Sequence, residues 1–222
     1  MFHWLERNPF FFSVGVFIVI AFAGLIEIVP NFAEASRPVK GLQPYSVLET
    51  AGKNVYKKDN CIACHSQLIR PFKSETDRYG MYSLSGEYAY DRPFLWGSKR
   101  TGPDLKRVGN YRTTDWHENH MWDPKSVVPQ SIMPAYKHMF TNIADIDTAY
   151  AEAVTVKKVF NTPYDVAGGV KLGSLAEAKA AALAEAKSIA ADMKNQDVKD
   201  AVARGEIPEI VAIIAYMNNR LR

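Results

Sequence analysis

The sequence predicts a mainly α-helical chain: one N-terminal transmembrane helix, then one helical domain with long irregular loops. Three observations predict it. Residues Phe10 to Val29 form an apolar run of 20 broken by one charge, Glu27. Two later segments open on the S-x-x-E signature of a capped helix, Ser46 with Glu49 and Ser174 with Glu177. Near the C-terminus, Ile210, Ile213, Ile214, Met217 and Leu221 recur at helical spacing.

Composition sets the outer bounds. The 222 residues are 47% hydrophobic and 23% charged, which is ordinary globular usage and excludes a disordered or collagen-like chain. Beyond the apolar run about 190 residues remain, enough for one domain with a core of its own. A net charge of +3, with basic residues scattered among acids, offers no polybasic stripe and no case for nucleic acid. The only two cysteines lie three residues apart, so no disulfide framework staples the domain. No internal repeat is visible.

Residues 1–31 are read as the membrane anchor. At about 1.5 Å per residue the apolar run spans roughly 30 Å, the thickness of a bilayer's hydrocarbon core. Asn8 suits an N-cap, Pro9 the first helical position, and Trp4 with the nearby phenylalanines a headgroup interface. Pro30 is expected to end the helix. Ala21-Phe22-Ala23 resembles a signal-peptidase site, but the run continues to Val29 and only Arg7 precedes it, so an uncleaved anchor is the better reading. Glu27 suits an interfacial carboxylate or the partner of a group on another subunit. Arg7 on one side and Arg37 and Lys40 on the other leave the orientation undecided by charge.

Residues 32–222 are read as one domain. A helix starts near Ser46 and places Ala51, Val55 and Tyr56 towards one face, and a closing helix opens around Pro208. Residues 66–100 are polar and aromatic without a clear period, which suggests an irregular loop with a short hairpin. The alanine-rich stretch from Ser174 to Met193 is expected to be a solvated helix on the outside.

Chemistry enters at Cys61-Ile62-Ala63-Cys64-His65, the C-x-x-C-H pattern of covalent haem attachment. Two thiols on one helical turn can each form a thioether with a porphyrin vinyl group, and the adjacent imidazole then lies under the iron. A redox C-x-x-C pair would need βαβ patterning around it, and none is visible. The motif resembles that of c-type cytochromes, which carry it outside the cytoplasm, so the N-terminus is placed inside and the domain outside. Thr101-Gly102-Pro103-Asp104-Leu105 resembles the G-P-x-L segment of that superfamily. The resemblance implies that the Pro103 carbonyl accepts the Nδ1–H of His65 and that Leu105 packs on the ring. Asp123-Pro124, Pro129 and Ser131-Ile132-Met133-Pro134 resemble the loop that presents a methionine thioether as the second axial ligand. Met133 is the candidate, and His117, His120, His138, Met121 and Met139 are its rivals. A His/Met pair favours electron transfer over oxygen binding.

Longer strings resemble the mono-haem subunit II of cbb(3)-type cytochrome c oxidases. They include Glu6-Arg7-Asn8-Pro9-Phe10, the run from Arg70-Pro71-Phe72 to Tyr79-Gly80, Trp96-Gly97-Ser98-Lys99-Arg100, and Met133-Pro134-Ala135-Tyr136. From about 141 to 206 the likeness is loose. The resemblance implies a single-pass subunit of a terminal respiratory oxidase in the bacterial inner membrane, its domain periplasmic, holding one covalent haem c. It also implies a haem–copper catalytic subunit I and a di-haem subunit III as partners, with this chain relaying electrons and reducing no oxygen itself. Arg70 and Arg100 are candidates for the haem propionates, since a guanidinium fork matches a carboxylate. The aromatic residues of 66–100 are expected to be covered by another subunit. A free membrane-anchored shuttle, or a haem sensor or peroxidase, are the competing expectations.

Overall fold

The computed structural model describes residues 3–33, the last three as backbone, and residues 37–218. The chain divides into two compact units, Met1–Ser36 and Arg37–Arg222. In the first, a single turn α1 (His3–Glu6) precedes α2 (Pro9–Ala33), a helix whose stretch Pro9–Pro30 is long and apolar enough to cross a bilayer. Pro9 is its first residue, and the Asn8 carbonyl accepts the first helical hydrogen bond from Phe12 N–H, at 3.1 Å. Pro30 does not end the helix as expected, because α2 continues through it to Ala33. Proline forfeits one backbone hydrogen bond and crowds the carbonyl one turn back, which bends or weakens a helix without requiring a stop.

The second unit contains α3 (Val47–Lys58), α4 (Lys73–Tyr79), α5 (Thr114–Trp122), α6 (Pro124–Val127), α7 (Ile146–Phe160), α8 (Leu175–Ala191), α9 (Gln196–Ala203) and α10 (Glu209–Met217). Among the described residues there is no strand, only one isolated bridge between Ile143 and Pro208. Both predicted capping boxes form: Ser46 and Glu49 open α3, and Ser174 and Glu177 open α8, each side chain satisfying a backbone N–H of the other.

The core is the crossing of α3 and α10. Leu48 and Tyr56 from α3 meet Ile210, Val211, Ile213 and Ile214 from α10, all within 1% of complete burial. The crossing is close because Gly52 has no side chain. A Cβ there would strike the Ala212 carbonyl and lie 2.8 Å from Tyr216 Cβ. Each fully buried aliphatic side chain stabilises the fold by about 1.5–3 kcal/mol, so this crossing is the anchor for everything mounted on it.

Helix α8 is more deeply integrated than a solvated outer helix. Ala178, Ala182, Ala186 and Ala190, one turn apart, are all buried as α8 packs on α3, α7, α9 and α10. Alanine's small side chain lets backbones approach, and the spacing of four keeps the stripe on one face. Residues 66–100 hold no hairpin. They contain α4 and a 3₁₀ turn at Ser85–Tyr88, joined by irregular backbone.

Candidate functional site

The C-x-x-C-H motif lies just beyond α3, not on it. Asp59 caps α3, Asn60 turns the chain through the left-handed region at φ 54°, and Cys61–Ala63 forms a separate 3₁₀ turn. His65 N–H closes back on the Cys61 carbonyl at 2.9 Å. Both thiols are free; Cys61 is buried and Cys64 exposed. Burial pushes the Cys61 thiol up to about 12, with the Asp59 carboxylate adding to the shift.

The segment 102–106 runs alongside the motif. Gly102 N–H donates to the Cys64 carbonyl and Leu105 N–H to the Ser66 carbonyl, both at 2.9 Å. That pairing sets the Pro103 carbonyl 2.8 Å from His65 Nδ1. With Nδ1 engaged, Nε2 is the nitrogen left for a metal. Gly102 lies against the ring face: a Cβ there would sit 2.6 Å from Nδ1 and 2.7 Å from Nε2. Burial lowers the pKa of His65, and the Pro103 carbonyl opposes that shift. Leu105 is half-buried against the core.

A buried carboxylate that sequence reasoning did not single out fixes this pairing. Asp104, 1% exposed, accepts from Ser66 Oγ at 2.7 Å, from Leu68 N–H at 2.9 Å and from Lys106 N–H at 2.9 Å. Glu75 plays the same part for the loop. It accepts from Arg70 N–H at 2.8 Å and pairs with the guanidinium groups of Arg70 and Arg100. The Arg100 hydrogen bond first, then those of Arg70, hold the Glu75 carboxyl down at about 2 against the opposing effect of burial. Arg100 also donates to Ser66 Oγ and to the Leu68 carbonyl, both at 2.6 Å. Both candidate propionate arginines are therefore engaged with Glu75, and Arg100 braces the backbone just beyond His65. Arg70 lies only five residues from Glu75, whereas Arg100 reaches it from 25 residues further along the chain.

Met133 lies in the loop after α6, half-buried against the core, its N–H 3.2 Å from Ser131 Oγ. Tyr136 N–H donates to the Met121 carbonyl at 2.8 Å and pins the far end of that loop. Among the rivals, Met139 is fully buried and Met121 is 8% exposed, both within the core. His138 contacts Asp59 through Nε2 at 2.9 Å. His117 Nε2 and His120 Nδ1 are buried without a hydrogen-bond partner, and His120 stacks on Trp116 at 4.5 Å. Burial, then the charge of His120, lowers the His117 pKa to about 4.

Free paired thiols, an imidazole oriented through Nδ1, a glycine that leaves room only for the bare ring, and two orphaned buried imidazole nitrogens all fit a haem. A family model described as "Cytochrome C oxidase, mono-heme subunit/FixO" matches residues 2–221. The chain belongs to this family. No curated protein matches it significantly.

The mono-haem subunit thus carries one haem and works within an oxidase complex. Its aromatic loop is partly folded inward: Ile69, Tyr88 and Leu95 are buried. Phe72, Tyr82, Phe94 and Trp96 stay between 40% and 56% exposed. Phe94 and Trp96 stack at 4.7 Å, with Tyr88 meeting Trp96 edge-on.

Proposed function

We propose that this subunit relays electrons to the haem–copper catalytic subunit of a cbb(3)-type oxidase, through one haem c attached at Cys61 and Cys64 and ligated axially by His65 and Met133. The observation that carries the reading is the His65 Nδ1 contact to the Pro103 carbonyl at 2.8 Å, beside two free thiols. That contact fixes the tautomer and leaves Nε2 as the nitrogen for the iron, as a proximal ligand requires. The bound haem supplies reversible one-electron chemistry at its iron. The protein's share is to hold and orient: Pro103 and Gly102 set the ring plane, Leu105 excludes water beside it, and Asp104 and Arg100 fix the backbone that carries them.

Helix α2 is the single-pass anchor, with the N-terminus cytoplasmic and the domain periplasmic in a bacterial inner membrane. The exposed Phe72, Tyr82, Phe94 and Trp96 are the face that meets a partner subunit, since aromatic anchors are enriched at such interfaces. The catalytic subunit I and a di-haem subunit III are those partners.

Replacing both thiols, Cys61→Ala with Cys64→Ala, tests the attachment. The subunit should lose its band on a denaturing gel stained for haem peroxidase activity while an antibody still detects the chain. A haem band that persists refutes covalent attachment at this motif.

A further inference from the structure

Just before the haem motif, three side chains from distant parts of the chain converge near the C-terminal end of α3 and the start of α10. Asp59 comes from the C-cap of α3, His138 from the 3₁₀ turn Lys137–Phe140, and Glu209 from the first residue of α10. One oxygen of each carboxylate and one imidazole nitrogen lie within 4.8 Å of one another. His138 Nε2 is already 2.9 Å from Asp59 Oδ2.

A second observation points to a ligand. The Glu209 side chain is 9% exposed, and its Oε2 is buried with no hydrogen-bond partner. A buried carboxylate oxygen without a donor is costly unless something cationic meets it. Lys58 Nζ contacts the other oxygen, Oε1. Ligating carboxylates are commonly hydrogen-bonded to a neighbouring group.

The backbone holds two of the three together. Asn142 N–H donates to the His138 carbonyl and Glu209 N–H to the Asn142 carbonyl, both at 2.9 Å, so the turn bearing His138 is tied directly to the start of α10.

We propose that Asp59, His138 and Glu209 form a binding site for a divalent transition-metal ion of the zinc type, with water completing its coordination. One imidazole and two carboxylates match the borderline preference of zinc, whereas calcium would require more oxygens. Ligand atoms about 2.0–2.2 Å from a tetrahedral ion lie roughly 3.4 Å apart, so small side-chain rotations close the cluster. The two carboxylates and the Lys58 ammonium on Glu209 together present one net negative charge to the ion. The ion would clasp the exit of the Met133 loop to the end of α3 and the start of α10.

The test uses the detergent-purified oxidase, dialysed against chelator, titrated with zinc chloride and gel-filtered. Zinc per complex is measured by mass spectrometry, and the zinc-edge absorption spectrum reports its ligands. The wild type should retain one zinc more than His138→Ala or Glu209→Gln, with one imidazole in its spectrum, and each variant should weaken the Kd about tenfold or more. Should Glu209→Gln fail to assemble, His138→Ala, at a half-exposed side chain, carries the same comparison. Equal zinc in wild type and variants, or a spectrum without imidazole, overturns the site.

Discussion

Replacing Gly102 by alanine tests the geometry around His65 most directly. The position has no need of glycine for its backbone angles, since Gly102 is not among the residues with positive φ. Its requirement is space: a methyl carbon would lie 2.6 Å from His65 Nδ1 and 2.7 Å from Nε2. Carbon contacts settle near 3.5–4.0 Å, so the ring or the 102–106 segment must move by about 1 Å. Either movement breaks or lengthens the 2.8 Å contact to the Pro103 carbonyl. Overpacking costs about 1–3 kcal/mol, and the weakened hydrogen bond about 0.5–1.5 kcal/mol more. At about 2–4 °C per kcal/mol for a domain of this size, the apparent Tm of Gly102→Ala should fall by roughly 3–18 °C. The variant's haem absorption and reduction potential should shift with it, because the imidazole is reoriented. Gly168→Ala is the control: that glycine has φ +76° and open space around its Cβ, so it reports backbone strain alone, remote from His65. An unchanged Tm and an unchanged potential in Gly102→Ala would refute the claim that residue 102 sets the ring.

Three further outcomes follow from the site. Met133→His should abolish the far-red sulfur-to-iron charge-transfer band of the oxidised subunit and lower its potential; survival of the band would move the ligand to Met121 or Met139. Glu75, held at about 2 against 4.5 for the free group, contributes stability that is fully present above 4.5 and is lost as pH falls towards 2. Glu75→Gln should therefore be destabilised at neutral pH by about 3–5 kcal/mol, as for a broken buried pair, and the gap from wild type should narrow below pH 4.5 in urea melts. Wild-type and variant melts that stay parallel down to pH 2 would show that Glu75 is not the group titrating. Finally, hydrogen exchange across 66–100 should slow when the subunit is in the oxidase compared with the isolated chain, and equal protection would argue for a free shuttle.

The parts of this fold that follow local rules were legible in the sequence. The capping boxes at Ser46 and Ser174, Pro9 as the first residue of α2, and the helical run of Ile210, Ile213, Ile214 and Met217 in α10, buried on every side, each depend on residues within a turn or two of one another; Leu221 lies outside the described residues. The contact between His65 and Pro103 was expected from a resemblance, not from spacing, and the structure shows it at 2.8 Å. What sequence reasoning missed depends on partners far along the chain. Glu75 and Asp104 take their part only when folding brings Arg100 to the one and Ser66 and Leu68 to the other. The segment 66–100 looked irregular because its order comes from those buried carboxylates and not from a repeating pattern. Pro30 shows the opposite error, a local rule applied too strictly: a proline weakens a helix, and α2 runs on to Ala33 regardless.

Gln67 gives the loop a mechanical meaning. Its N–H donates to the Trp96 carbonyl at 2.8 Å, its carbonyl accepts from Tyr88 Oη at 2.7 Å, and its side-chain oxygen accepts from Tyr216 Oη at 2.7 Å. Gln67 stands two residues beyond His65. The exposed Phe94–Trp96 stack and the closing helix are therefore both tied to a residue two places beyond the His65 imidazole, like spokes on one short axle. A displacement of the outer rings would reach the backbone beside His65 through the Gln67 bonds to Trp96 and Tyr88.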